Sequence, residues 1–257
     1  MNETERLLHQ RQKKRDRSLA YQRTLSSLGQ FVPFSVKVSL AKKSSKFAPL
    51  LFQSEEFRIR YLDTFDVRIN ARYPSERGML RGCYEADLEA AVRKFVFPGA
   101  YCMDIGANTG AVTLFMAKSA GLNGKVFALE PGPHFFQRLQ FNARLNPTWE
   151  RVLSLHNIGV SDRPGTLFWE EDPDFPGNAY MFGSRGIEVP VTTLDAFFSN
   201  APERMDFIKI DVEGMELEVL RGAEQLLRRF SPVLFLETDL QFETYREAPI
   251  RQQTEAF

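Results

Sequence analysis

From Phe57 the stretch FRIRYLDTFDVRINARY alternates apolar with polar side chains, breaks at Asp63 and Thr64 and then resumes, which predicts two short strands joined by a turn. The period then changes. Residues 85–97, EADLEAAVRKFVF, repeat their apolar positions at helical spacing and end at Pro98 and Gly99, and AYCMDI, 100–105, suits a short buried strand. A regular alternation follows: helix near 110–120, strand KVFALE at 125–130, helix 133–145 and strand VLSLHNIGV at 152–160. Residues 161–192 are rich in turn signals (DRPG, DPDFPGN, FGSRG) around short strands and read as an elaborated connection. The alternation resumes with DFIKI at 206–210, a helix from Gly214 to Arg229 and VLFLE at 233–237. In that helix Val219, Leu220, Ala223, Leu226, Leu227 and Phe230 share one face, with Glu216 and Glu218 in the first turn and Arg228 and Arg229 in the last. Strands alternating with helices imply βαβ units, hence an α/β, Rossmann-like fold with a mostly parallel sheet and helices on both faces.

Residues 1–52 fall outside this pattern and read as a basic, partly helical extension, with Pro33 breaking any continuous helix. Residues 11–47 carry ten Lys or Arg against Asp16 alone, a local charge of +9, so the remainder of a chain with zero net charge carries −9. A solvated face accounts for such a run most simply; weak contact with an anionic membrane surface is the other reading, and recognition of nucleic acid does not follow. Hydrophobic residues at 43% and charged residues at 26% are ordinary for a globular chain. Cys83 and Cys102 make no metal-ligand spacing, and with no apolar run of membrane-spanning length a cytoplasmic, reducing setting is expected.

The chemistry gathers around DIGANTG, 104–110. An acidic residue at a strand end, then Gly106, then Gly110 at a helix start makes a ligand loop at the carboxyl edge of the sheet. Gly106 permits a sharp turn and close approach, and a helix N-terminus near Gly110 offers N–H groups to a carboxylate. Twenty residues on, Glu130 ends the next strand, where a carboxylate can accept hydrogen bonds from both hydroxyls of a ribose. A dinucleotide fingerprint requires glycine where Asn108 stands, so S-adenosylmethionine suits this loop better than NAD.

The segments YE (84 and 85), DIGANTG, FALEP (127–131), VSDRPGTL (160–167), TTLDAF (192–197) and DFIKIDVEGMELEVLRGA (206–223) resemble the FkbM family of methyltransferases. The resemblance implies a class I methyltransferase domain over 53–240, S-adenosylmethionine as donor, and O-methylation of a hydroxyl on a sugar, glycolipid or secondary metabolite. It implies that Asp104, Gly106 and Asn108 line the methionine end of the donor, and that Ser161 and Asp162 lie near the adenine. Asp211, at the strand edge where donor and acceptor should meet, is the first candidate for general base and Glu213 the second. His134 and His156 read as structural. Asp211, Glu237 and Asp239 could gather as oxygen ligands for Mg²⁺, but solvated or capping carboxylates explain them equally, and no metal is expected. Residues 241–257 read as a tail without a hairpin, so the sheet is expected to lack the family's C-terminal antiparallel pair, leaving an edge for the extension or a second copy of the chain to cover. The alternatives are a truncated or inactive Rossmann-fold binding protein, an NAD-dependent enzyme acting on a nucleotide sugar, and an adaptor working through the basic arm.

Overall fold

The computed structural model describes residue 36 and residues 56–70, 73–80, 82, 84–171, 179–183, 186–199 and 203–237. The predicted N-terminal helix, the C-terminal tail and Asp239 lie outside the described residues. The chain divides into two units, one holding residues 69–84 together with those up to Ile59, the other holding Arg60–Arg68 and everything from Glu85 on. In the first, a one-and-a-half-turn helix, α1 (Pro74–Met79), carries Glu76, buried, whose carboxylate accepts the Asn70 N–H.

The predicted lead-in strands are β1 (Glu56–Tyr61) and β2 (Phe65–Asn70). The break read at Asp63 and Thr64 is a tight turn: Leu62 and Asp63 both have positive φ (47° and 53°), and Thr64 N–H donates to the Tyr61 carbonyl at 2.9 Å. In β2 the side chains alternate as the sequence pattern requires, with Phe65 and Val67 fully buried.

The main unit then runs α2 (Ala86–Phe95), β3 (Tyr101–Ile105), α3 (Ala111–Ala120), β4 (Lys125–Leu129), α4 (Pro133–Arg144), α5 (Pro147–Glu150) and β5 (Leu153–His156). After β6 (Gly159–Val160), β7 (Gly165–Glu171), β8 (Ala179–Gly183), β9 (Ile187–Thr192) and α6 (Leu194–Phe197), it closes with β10 (Phe207–Ile210), α7 (Glu216–Arg221), α8 (Glu224–Phe230) and β11 (Val233–Leu236). Five strands form one sheet in the order β11-β10-β3-β4-β5, every neighbouring pair parallel. This is the Rossmann-like, parallel α/β arrangement that the βαβ pattern implies. One face of the sheet, through Met103, Ile105, Leu129, Ile208 and Ile210, packs on Leu194, Val219, Leu220 and Leu226 of the later helices. The opposite face carries Cys102, Asp104, Phe207 and Lys209, paired across the register of β3 and β10.

Two predicted elements are each split in the structure. The run VLSLHNIGV becomes β5 in the large sheet and β6 in a second sheet of order β6-β9-β7-β8. Asn157 makes the break: its Nδ2 donates to the carbonyls of Glu130 and Pro131 at 2.7 and 2.9 Å, which draws the chain away from strand geometry. The helix read from Gly214 to Arg229 is α7 and α8 with a break at Gly222 and Ala223. Gly222 lies against the Ser161 carbonyl, where a Cβ would stand only 2.2 Å from the oxygen, so the helix bends to let the strand end pass.

Arg138 and Asn142 of α4 and Asn146, which caps the start of α5, face β2. Asn146 accepts the Asp66 N–H at 2.8 Å and donates to its carbonyl at 2.7 Å; Asn142 accepts the Arg68 N–H at 2.8 Å and donates to the Thr109 carbonyl at 2.8 Å.

Cys102, fully buried and unpaired, has its thiol pushed up to about 12 by burial, with Asp206 and Asp104 adding to the effect. A variant with Cys83 replaced by Ser is therefore expected to take up no thiol reagent at pH 8 while folded and to react fully in guanidinium. Rapid labelling of the native variant would contradict this packing.

Candidate active site

In an open parallel sheet ligands bind at the carboxyl ends of the strands, where the order of connection reverses. Here β3, β4 and β5 follow one another outward, whereas β10 returns to the other side of β3, so the reversal falls between β3 and β10. Gly106 follows β3 and Asp211 follows β10, and a cleft opens there, lined by Gly106, Asn108, Glu130, Pro131, Phe135, Trp169, Met181, Asp211, Val212 and Glu213.

The loop after β3 is held from two sides. Gly106 and Ala107 donate their N–H groups to the Leu129 carbonyl at 3.0 and 3.1 Å. On the other side Gly106, with φ of 77°, touches the Asp211 backbone so closely that a Cβ would stand 1.8 Å from its carbonyl oxygen. Asn108 also has a left-handed backbone (φ 48°), which Asn tolerates better than most residues, and this turns its N–H toward Glu130 Oε2 at 2.8 Å.

Glu130 is 5% exposed, at the end of β4. Its two oxygens accept the N–H groups of Asn108 and Gly132, each at 2.8 Å, so each keeps a lone pair for a ligand. Burial nevertheless pushes its pKa up to about 7 against these two hydrogen bonds and the nearby Lys209. Trp169 of β7 packs over Gly132, where a Cβ would come within 2.6 Å of the indole, and meets Phe135 edge to face at 5.9 Å between centroids.

Behind the cleft lies a buried charged cluster. Lys209 Nζ donates to the Gly106 carbonyl at 2.9 Å and stands 3.0 Å from Asp211 Oδ2 and 3.4 Å from Asp104 Oδ1, while Asp104 Oδ2 accepts the Thr113 hydroxyl at 2.6 Å. Asp104 is thus turned inward, to α3 and Lys209, and is not part of the cleft lining. Asp211 keeps a quarter of its side chain exposed, in the cleft. Glu213, also on the lining, holds a left-handed φ of 51°, a costly conformation of the kind that collects at ligand sites. Glu216 braces this loop from below: it is buried, accepts the Gly214 N–H at 3.0 Å, and burial raises its pKa.

Of the predicted site residues, then, Gly106, Asn108, Glu130, Asp211 and Glu213 come together on one lining. Gly110 does not; its positive φ starts α3 and its bare Cα lets Leu139 of α4 come close, a Cβ there standing 2.4 Å from Leu139 Cδ1. Ser161 and Asp162 line a second cleft with Arg163, Thr166, Met215 and Glu218, which shares Met181 with the first. His134 is exposed at the start of α4, and His156, its pKa lowered by burial and Lys125, bonds Ser154 at 2.8 Å away from both linings. Among the described residues no group of His, Cys, Asp and Glu could hold a metal. The sequence reading missed Lys209, Phe135, Trp169 and Met181. Lys209 had a signal, being a lone cation inside the apolar strand FIKI; Trp169 had none, since its segment shows no period.

Residues 104–253, more than half of the chain, match the methyltransferase FkbM domain. The chain belongs to the FkbM family of methyltransferases. It is similar to methyltransferase sdnD of Sordaria araneosa, 28% identical over 190 residues that cover 61% of this chain and 70% of that one. It is also similar to the hexuronic acid methyltransferase AglP of Haloferax volcanii, 29% identical over 134 residues, 51% of this chain and 53% of that one. The chain therefore spans between about half and 70% of the length of these relatives. The crystal structure of methyltransferase FkbM from Methylobacillus flagellatus aligns with 63% of this chain and 43% of its own, at 18% identity and a TM-score of 0.40. Among the described residues no helix is long and apolar enough to cross a membrane.

Proposed function

We propose that this methyltransferase uses S-adenosylmethionine and transfers its methyl group to a hydroxyl oxygen of a small-molecule or glycan acceptor, in a cytoplasmic setting consistent with the unpaired Cys102 thiol. The observation that carries the reading is Glu130: a buried carboxylate beside the Gly106 loop, at the reversal of the sheet, with one lone pair on each oxygen left for the two hydroxyls of a ribose. The donor fits on charge as well. Glu130, Asp211 and Glu213 make the lining acidic, and the donor bears a sulfonium and an ammonium against one carboxylate.

S-adenosylmethionine supplies an electrophilic methyl, so the protein's main work is to hold an acceptor oxygen in line with it, roughly 3 to 3.5 Å away. Asp211, in the cleft, would accept the hydroxyl proton as the oxygen takes the methyl, with Glu213 the nearest substitute. Pro131, Phe135, Trp169 and Met181 give the cleft an apolar wall that can exclude water from a flat or sugar-like group. The name of the Haloferax volcanii relative supports a sugar-acid acceptor.

Calorimetric titration with S-adenosylmethionine and with NAD tests the donor, and transfer of labelled methyl to a panel of uronic acids, neutral glycosides and phenols tests the acceptor. Binding of S-adenosylmethionine at about micromolar Kd, no binding of NAD, and a base-stable methyl ether as product are expected. A base-labile product would mean a methyl ester and would overturn O-methylation of a hydroxyl. Donor binding without transfer to any member of the panel would favour a binding protein.

A further inference from the structure

Lys209 sits in the interior of β10 with 2% of its surface exposed, a position where lysine is rare unless paired. Burial opposes its charge, yet Asp211, Asp104 and Glu85 together hold its pKa above the ordinary lysine value, so it is an ammonium wherever the protein is folded. Offsetting Asp104 would need one contact. Lys209 makes two others, to the Gly106 carbonyl at 2.9 Å and to Asp211 at 3.0 Å, and these belong to the two adjacent loops, after β3 and after β10, that line the cleft.

We propose that Lys209 is a positioning residue for the methyl donor: one ammonium ties the Gly106 loop to the Asp211 loop and partly cancels the negative charge that Asp211 turns toward the cleft. The proposal rests on the reading that this cleft binds S-adenosylmethionine. Its first consequence is mechanical, because without the tie the Gly106 carbonyl and the Asp211 carboxylate lose their common partner, the two loops are held less firmly, and any nucleoside ligand binds less well. Its second is electrostatic. A bare Asp211 carboxylate would attract the sulfonium of S-adenosylmethionine but not the neutral thioether of S-adenosylhomocysteine, so Lys209 keeps the affinities for donor and product near each other and lets the spent product be exchanged.

The two ligands separate these consequences from a role confined to stability. Calorimetry on the full chain compares wild type, Lys209→Met, Asp211→Asn and the charge-balanced Lys209→Met/Asp211→Asn, each checked for folding by near-ultraviolet circular dichroism. Lys209→Met should weaken S-adenosylhomocysteine about 30-fold but S-adenosylmethionine only about 3-fold, a tenfold change in their ratio. In the double variant both should weaken about 30-fold with the ratio back at its wild-type value. Equal losses for both ligands in Lys209→Met, or wild-type binding by a folded double variant, would overturn the proposal. Should Lys209→Met fail to fold, the double variant decides the mechanical part by the same measure. If wild type binds neither ligand, the donor reading itself fails and takes this one with it.

Discussion

Replacing Gly106 by alanine is expected to abolish S-adenosylmethionine binding and to lower the melting temperature by roughly 6 to 12 °C. Two costs add. The positive φ of 77° disfavours any L side chain by about 1–2 kcal/mol, and the new methyl would sit 1.8 Å from the Asp211 carbonyl oxygen, a backbone atom that cannot swing aside. Forcing β3 and β10 apart at their ends costs about 1–3 kcal/mol more, the range for overpacked sites. The same movement pulls the Gly106 carbonyl from Lys209, so the fold weakens where the donor must bind. Gly121 supplies the control. It too has a positive φ, 67°, but a Cβ there meets nothing within 4 Å, so Gly121→Ala should cost only the conformational part and leave binding intact. Thermal unfolding with calorimetry on both variants checks this, and a Gly106→Ala protein with wild-type melting and affinity would show that the loops do not touch as described.

Glu130→Ala should cost S-adenosylmethionine about 10²–10³ in affinity, because two charge-assisted hydrogen bonds to ribose hydroxyls are lost at about 1.5–3 kcal/mol each, less the relief of leaving no buried charge. Its pH dependence is the sharper test. In the free protein the Glu130 pKa is raised from 4.5 to about 7, so the folded state binds this proton more tightly than the unfolded one. The sign follows: the fold carries no penalty from Glu130 below pH 4.5, loses stability as pH rises from there to about 7, and above that bears the whole cost of burying the charge, on the order of 3 kcal/mol. A ribose diol donates to the carboxylate and favours its ionised form. Donor affinity should therefore climb with pH, approaching tenfold per unit well below pH 7, and level off above it. In Glu130→Ala that climb should vanish. A wild-type affinity that is flat from pH 5.5 to 8.5 would mean that Glu130 is not the group meeting the ribose.

The large sheet was legible because each of its strands is a short apolar run between helical spacings, and parallel strands buried on both faces need little else. The acidic strand end with Gly106 and the matching Glu130 were legible for a related reason: only a few residue types permit a tight turn against a neighbouring strand, or a carboxylate at a strand end. What failed was continuity. Asn157 and Gly222 interrupt a strand and a helix through contacts to Glu130, Pro131 and Ser161, residues distant in sequence, and periodicity within a window cannot register a partner outside it. The roles of Asp104 and Gly110 were blurred in the same way. Both stand in the motif that lines the cleft, yet one turns to Thr113 and Lys209 and the other makes room for Leu139. Trp169 reaches the site through an antiparallel pairing of β7 with β9 whose register no local signal announced.

The asparagine pair Asn142, on α4, and Asn146, at the start of α5, has a consequence beyond packing. A hairpin strand has two rims, and the rim of β2 turned toward α4 would ordinarily be a template on which another extended chain could lengthen the sheet. Asn142 and Asn146 occupy the N–H groups of Arg68 and Asp66 as a neighbouring strand would, and the carbonyl of Asp66 is filled as well. Because the mimics are side chains of a helix and of the cap that follows it, with 0% and 6% of their surfaces exposed, they cannot be extended in turn. A growing fibril would meet the β2 rim already closed, and no third strand can be added to the hairpin on that side.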